Sequence, residues 1–195
     1  MVPVVDLMEP RAELLEELRQ YRAVDAVEGQ HQRDILDLLS YGAAPFARQA
    51  FVPGHITASC FVVDPVSKRL LLHHHRRLDR WLQMGGHVDP GERAREAALR
   101  EGREESGLSD LEIFGGAVLD LDVHPIPAAN AEPDHAHYDV RYVARTMRPD
   151  SIKIAGAESK DLAWVDLDRA VTMMGEEGSR RVIMKIRKLL DRWLN

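Results

Sequence analysis

The chain has 195 residues, of which 45% are hydrophobic and 30% charged, a composition typical of a soluble globular protein with one main domain. Its formal net charge of −6 argues against a nucleic-acid backbone as the main partner, because proteins that bind one carry clustered positive charge. The chain starts acidic and has no apolar run near the roughly 18 residues of a membrane span, so we expect no signal peptide, no membrane segment and a cytoplasmic location.

The first forty-odd residues carry two apolar stripes at helical spacing, one through Leu14 and Leu18 and one through Ile35 and Leu39. They predict a helical extension, residues 1–48, that packs on a main domain formed by residues 49–195. The same helices could instead form a homodimer contact or a partial lid over a site, and the sequence leaves these alternatives open.

Strand-like segments follow at residues 56–63, 69–75, 111–123, 137–146 and 163–165. A glycine-containing loop over residues 84–91 leads into a helix over 93–106 that ends at Gly107, and residues 182–193 predict a C-terminal helix. Strands interspersed with helices predict a layered α/β domain. The single cysteine, Cys60, lies in an apolar strand, and we expect a buried, reduced thiol.

Three glutamates of the predicted helix share one face, because Glu101, Glu104 and Glu105 are separated by three and four residues. They lie along the small-residue stripe that includes Ala97 and Ala98, the side expected to face the protein. Carboxylates gathered on an inward face require positive charge to compensate them, and hard divalent cations such as Mg²⁺ or Mn²⁺ prefer oxygen ligands. The alternative is a solvated surface patch.

The glutamates belong to a longer pattern in residues 86–108, GHVDPGERAREAALREGREESGL. The sequence resembles the Nudix hydrolases, because its glycines and charged residues match the Nudix box at these positions: Gly86, Glu92, Arg100, Glu101, Glu104, Glu105 and Gly107. The resemblance covers about residues 50–195 and implies an α/β/α sandwich around a mixed β-sheet. It also implies hydrolysis of a diphosphate linkage in a nucleoside diphosphate-linked or nucleotide-like small molecule, with Mg²⁺ or Mn²⁺ as cofactor.

The resemblance also implies roles for particular residues. Glu104 and Glu105 are expected to be the principal metal ligands, Glu101 a ligand directly or through water, and the carbonyl of Gly86 a further oxygen ligand. Arg100 is expected to orient the acidic cluster by pairing with Glu92 or Glu101.

Downstream, Glu158 stands six residues before Trp164, which is similar to a family loop whose glutamate binds metal or acts as general base. Glu105 or Glu158 would then take the proton from the attacking water. The sequence departs from the family at Gly102, where an aliphatic residue is usual; this removes a packing side chain and no ligand, and it permits close approach of another segment.

Histidines form two groups whose chemistry differs. In a strand only His73 and His75 of the run at 73–75 share a side, and we expect a structural or substrate-edge role for that run. His137, Asp139 and Arg141 alternate with Tyr138 and Tyr142, so the three polar residues share one face of a strand. That face is either solvated or lines the substrate cleft, where these residues would bind the substrate.

Two other function classes remain open from the sequence. A diphosphate isomerase of the same fold relies on a cysteine just before a Gly-His pair, and that position is Gly85 here. A non-catalytic Nudix-domain nucleotide sensor would have an eroded box, whereas Glu101, Glu104 and Glu105 are intact.

Overall fold

A computed structural model of the protein describes residues 9–129, 132–154, 158–175 and 177–193. Its strands are β1 Gly54–Asp64, β2 Arg69–His75, β3 Arg80–Leu82, β4 Met84–His87, β5 Glu112–Ile113, β6 Asp120–Ile126, β7 His135–Arg145 and β8 Ser159–Asp166. Its helices are α1 Pro10–Gln20, α2 Ala26–Tyr41, α3 Ala94–Ser106, α4 Leu167–Met174 and α5 Glu177–Trp193, with a short 3₁₀ helix at Pro149–Ser151. Within these residues, no helix is long and apolar enough to cross a bilayer.

The sheet is mixed and it divides near its centre. Strand β1 pairs in parallel with β7, and its C-terminal end pairs antiparallel with β2, where Val62 faces Leu71. The N-terminal half of β1 pairs instead with β4, where Ala58 faces Gly86. Strand β2 pairs with β8 along its whole length and, at its C-terminal end, with β3. Strand β4 therefore occupies the gap that opens between β1 and β2.

Helices cover both faces of the sheet, which gives the expected three layers. On one face, α1, α2 and α3 contribute Leu18, Ile35 and Ala97 to a core that includes Cys60 and Tyr142. On the other face, α4 and α5 close a second core around Phe61, Val63 and Val143. Alternate residues of β1 and β7 supply the two cores because neighbouring side chains of a strand point to opposite faces.

Cys60 is fully buried, as expected, and burial raises the pKa of its thiol to about 12. A Cβ added at Gly102 of α3 would lie 2.9 Å from its Sγ and 3.0 Å from Cδ1 of Leu111. The expected close approach over Gly102 is thus present, and it is made by β1 and by the segment after α3.

Several elements differ from the prediction, among them the three-residue strand β3, which was not predicted. The expected strand over 111–123 is two strands, because Gly115 and Gly116 adopt φ angles of 89° and 78°, which interrupt an extended chain. Residues 84–87, predicted as part of a loop, form β4. Helix α4 was not predicted; it has only 8 residues, buries Leu167, Ala170 and Met174, and is too short for a clear periodic stripe.

Helices α1 and α2 are joined to the sheet by a buried charged cluster. Glu28 is fully buried and pairs with Lys185 of α5, and both contact the hydroxyl of Tyr21. Lys185 also donates to Asp120 of β6 at 2.9 Å. The helical extension therefore packs on the main body, while the domain boundary at residue 48 stays a prediction.

Candidate active site

The glutamate-bearing helix α3 lies against the two glycines of β4. A Cβ added at Gly86 would overlap the carboxylate of Glu101, so only glycine allows the helix to approach the strand this closely. The helix begins after Arg93, whose backbone N–H donates to Glu96 at 3.1 Å, and it ends at Gly107 with a left-handed φ of 72°.

Arg100 joins the acidic groups to β4. Its Nε donates to Glu92 at 3.0 Å, its Nη1 to Glu101 at 2.8 Å, and its Nη2 to the carbonyl oxygen of His87 at 2.9 Å. The pairing expected with Glu92 or Glu101 is present with both. These charge-assisted bonds raise the pKa of Arg100 above its usual value and fix the direction of the Glu101 side chain.

Glu105 is the buried member of the cluster, with only 5% of its surface exposed. The backbone N–H of Gly85 donates to its Oε2 at 3.1 Å. The pKa of Glu105 is raised to about 8, mainly by burial and also by the negative charges of Glu101, Glu158 and Glu104, against the lowering effect of the Gly85 hydrogen bond. A carboxylate in this position requires a nearby cation to stay ionised at neutral pH.

The other carboxylates are nearer to solvent. Burial raises the pKa of Glu101, and the charges of Glu104 and Glu158 add to this effect. Glu104 is exposed and lies 3.6 Å from Nη1 of Arg100, while Glu158 is exposed and lies 3.5 Å from Nε2 of His75. The fold thus brings Glu158 close enough to Glu101 and Glu105 for its charge to raise the pKa of each.

This donor set fits a hard divalent cation. Its carboxylates range from exposed to buried, and the buried one, Glu105, has a raised pKa. They lie beside Gly85 and Gly86 of β4, which have no side chains to fill the space. Glu101, Glu104, Glu105 and the carbonyl oxygen of Gly86 would hold Mg²⁺ or Mn²⁺.

His73 and its partner Ser159 belong to this site, although the sequence had suggested only a structural or substrate-edge role for the histidine. Nδ1 of His73 lies 2.8 Å from the Ser159 hydroxyl and 3.4 Å from Oε1 of Glu105. Burial lowers the pKa of His73 to about 4, so it stays neutral. The contact joins β2 and β8 to the C-terminal end of α3, and no local sequence pattern could have signalled it. His73 and His75 share a side, as expected from alternation, with ring centroids 5.6 Å apart.

The polar residues of β7 lie on the other face of the sheet from α3. Tyr142 packs in the core under α3, whereas Arg141 lies beside Gly178 of α5. The expected alternation is confirmed. Asp139 accepts hydrogen bonds from the hydroxyls of Thr57 and Ser59.

Arg141 is 3% exposed, and its guanidinium is bound to acidic side chains. It donates to Asp139 at 2.9 Å and to Asp122 at 2.8 Å, and it lies 3.4 Å from Asp120. His137 is only partly buried and lies among other histidines. Substrate binding by His137, Asp139 and Arg141 stays a prediction, and the contacts of Arg141 supply a second role for it, in the framework of the sheet.

Comparisons with known proteins agree with this architecture. A family model described as the NUDIX domain matches residues 53–186, more than half of the chain. No curated protein matches the sequence.

Among solved structures, a C. elegans Ap4A hydrolase binary complex aligns with a TM-score of 0.56 and 21% identity, covering 70% of this chain and 97% of that one. The E. coli dihydroneopterin triphosphate pyrophosphohydrolase aligns with a TM-score of 0.54 and 20% identity, covering 67% and 92%. A MutT NUDIX hydrolase from Burkholderia pseudomallei aligns with a TM-score of 0.50 and 22% identity, covering 67% and 95%. These likenesses show the fold. With the match of the NUDIX domain over residues 53–186, the chain belongs to the Nudix hydrolase family.

Proposed function

We propose that this protein is a divalent-metal-dependent pyrophosphohydrolase that cleaves a diphosphate linkage in a nucleoside diphosphate-linked or nucleotide-like substrate. The observation that carries the proposal is the gathering of Glu101, Glu104, Glu105 and Glu158, in which Glu105 is buried with a pKa of about 8. A site of four carboxylates repels a diphosphate unless a cation lies between them, so the acidic cluster supports metal-mediated binding.

The roles of the residues follow from their positions. Glu101, Glu104, Glu105 and the Gly86 carbonyl hold Mg²⁺ or Mn²⁺, which when bound neutralises the diphosphate oxygens and activates a water molecule. Arg100 holds Glu101 in place through the bonds that it also makes to Glu92 and the His87 carbonyl.

The proton of the attacking water passes to Glu105 or to Glu158. Glu105 has a pKa close to neutrality, which suits a general base, and its oxygens are constrained by Gly85 and His73. Glu158 is exposed and lies beside His75, so its carboxylate is less constrained than that of Glu105. The pH profile of Glu158→Gln separates the two: the acidic limb of kcat should disappear in this variant if Glu158 is the base and should remain if Glu105 is the base.

The chain has no cysteine at the position that the isomerase alternative requires. Gly85 occupies the position where that chemistry places its cysteine, and the thiol of Cys60 is buried with a pKa of about 12. A nucleotide sensor differs from a hydrolase in one measurable way, since it binds the diphosphate compound without releasing product.

The test is a hydrolysis screen over ADP-ribose, dinucleotides, nucleotide-sugars, CDP-alcohols and nucleoside triphosphates, in which the cleavage products are separated by chromatography, with Mg²⁺ and Mn²⁺ each supplied. On the best substrate, Glu104→Gln or Glu105→Gln should lower kcat at least about 100-fold with the fold retained, because each removes one negative ligand. Glu112→Gln is the matched control, since Glu112 is exposed on β5 and pairs with Arg145 at 3.2 Å. Wild-type turnover in both site variants would refute metal-dependent hydrolysis by this cluster, and tight binding without turnover in the wild type would indicate the sensor.

A further inference from the structure

Five histidines gather on the face of the sheet opposite α3. The strand register explains this, because His55 of β1 is paired with His137 of β7, and His137 with His124 of β6. His87 of β4 lies across from Thr57, two residues along the same face from His55. His135 precedes His137 by two residues on β7. Four neighbouring strands therefore direct imidazole rings to one place.

Three of these rings converge. The ring centroid of His55 lies 5.1 Å from that of His135 and 4.9 Å from that of His137. One ring nitrogen from each of the three lies within 4.8 Å of the others. Ligand nitrogens about 2.0–2.1 Å from a tetrahedral ion lie roughly 3.4 Å apart, so small ring rotations bring the three nitrogens onto one ion.

Hydrogen bonds to backbone carbonyls occupy one ring nitrogen of His55 and of His135 and leave the other free to bind a metal. Nδ1 of His55 contacts the carbonyl oxygen of Ala50 at 3.3 Å, and Nδ1 of His135 contacts that of Pro133 at 2.8 Å. A carbonyl oxygen only accepts, so both Nδ1 atoms carry the hydrogen and both Nε2 atoms keep a lone pair. Histidines that bind metals are oriented in this way, with the second nitrogen donating to a carbonyl or carboxylate.

Nε2 of His55 is an independent sign of a ligand. His55 is 1% exposed, and within the described part of the chain its Nε2 is buried with no hydrogen-bond partner. A buried acceptor without a partner destabilises the folded protein, and packing of the rings against one another does not satisfy it. A cation bound where the three nitrogens converge would satisfy it.

We propose that His55, His135 and His137 form a binding site for a borderline divalent transition-metal ion, Zn²⁺ foremost. Three neutral imidazoles suit Zn²⁺ far better than Mg²⁺ or Mn²⁺, which take oxygen ligands, and they leave a fourth position for water or another ligand.

The histidine site is separate from the carboxylate cluster. Gly86 of β4 faces α3 and Glu101, and the next residue, His87, faces the histidine group. The two sites therefore lie on opposite faces of β4 and differ in their ligand chemistry, oxygen on one face and nitrogen on the other.

The experiment is a Zn²⁺ titration of tag-free, chelator-treated protein, followed calorimetrically. Glu104→Gln/Glu105→Gln should still bind one equivalent of Zn²⁺, because the double variant alters only the carboxylate site. In that background His137→Asn or His135→Gln should weaken binding by at least about 100-fold, more than the loss of an outer-shell partner. His74→Gln is the control, since His74 stacks on Trp81 at 5.1 Å and lies outside the group. It should bind like its parent.

A second readout keeps all the histidines, so it does not depend on the folding of the histidine variants. Co²⁺ added to Glu104→Gln/Glu105→Gln should give the intense visible absorption of a tetrahedral nitrogen site, and Zn²⁺ should remove it. The proposal is overturned if this protein takes up no Zn²⁺ and shows no such Co²⁺ spectrum. It is also overturned if the folded His137→Asn variant binds Zn²⁺ as tightly as its parent, in which case the histidines are only packed against one another.

Discussion

Arg141 provides the sharpest test of how the far face of the sheet works. Its side chain is buried and bound to Asp139, Asp122 and Asp120. Arg141→Met keeps an apolar stem of similar length and removes the charge. We expect a large loss of stability, because three carboxylates then lose a shared cation in a place that water scarcely reaches.

The size of the stability loss depends on the partners that each carboxylate keeps in the variant. Asp120 retains Arg181 at 2.7 Å and Lys185 at 2.9 Å, so it stays compensated. Asp139 retains the neutral hydroxyls of Thr57 and Ser59, which do not offset a buried charge. Removing one partner of a buried ion pair typically costs about 3–5 kcal/mol, and we expect at least about 3 kcal/mol here.

The measurement is urea unfolding at pH 7, with Arg145→Met as the matched control. Arg145 ends the same strand and forms an exposed pair with Glu112 at 3.2 Å, which is worth at most about 1 kcal/mol. The cost of Arg141→Met should shrink as the pH falls, because the charge of Arg141 lowers the pKa of Asp120 and of Asp122, and without it these carboxylates take up a proton more readily. A cost below 1 kcal/mol, matched by Arg145→Met, would refute the framework role. A raised KM at unchanged stability would instead support the predicted role of Arg141 in binding substrate.

Three further changes test other parts of the molecule. Cys60→Ala should cost about 1 kcal/mol in urea unfolding and leave turnover unchanged, whereas lost activity at full stability would revive thiol chemistry. Gly86→Ala should raise the Mg²⁺ concentration needed for half-maximal activity about 10-fold by displacing the Glu101 carboxylate, and an unchanged Mg²⁺ requirement would exclude that contact from metal binding. Burial disfavours the charge of Asp122, but the bond from His124 and the charge of Arg141 lower its pKa to about 2. Its stabilising effect is therefore lost as the pH falls from about 4 toward 2, so the stability difference between wild type and Asp122→Asn should close over that window, and a difference that stays constant down to pH 2 would contradict this.

The elements that could be predicted from the sequence are those in which helical spacing or strand alternation continues over many residues. Helix α3 carries a helical spacing of glutamates and alanines, and β7 carries a strict alternation of polar and apolar residues, so both were recognisable. The pairing of Arg100 with Glu92 and Glu101 was also within reach, because all three lie in one turn and one helix. Short strands such as β4 have too few residues for a period, and its glycines indicate a loop.

The charged cluster and the histidine group on the face of the sheet opposite α3 could not be predicted, because their members are far apart in the chain. Glu28, Asp120 and Lys185 each look like ordinary surface residues, and only the packing of α2 and α5 against β6 brings them together. His73 meets Glu105 for the same reason, through the position of β2 beside the end of α3. Such contacts depend on strand register and helix placement, which leave no local pattern.

The two glycines of β4 account for the arrangement of both faces. A Cβ at Gly86 would overlap Glu101, while a Cβ at Gly85 would lie 2.9 Å from Oγ of Ser59, which donates to Asp139. Neighbouring positions of one strand thus admit the carboxylate cluster on one side and the buried polar network on the other. Because neither glycine contributes a side chain, the two groups are separated by little more than the backbone of β4. We expect a change on the histidine and arginine side to affect the carboxylate side through a shift of this strand, so variants on each face must be measured for both stability and metal dependence.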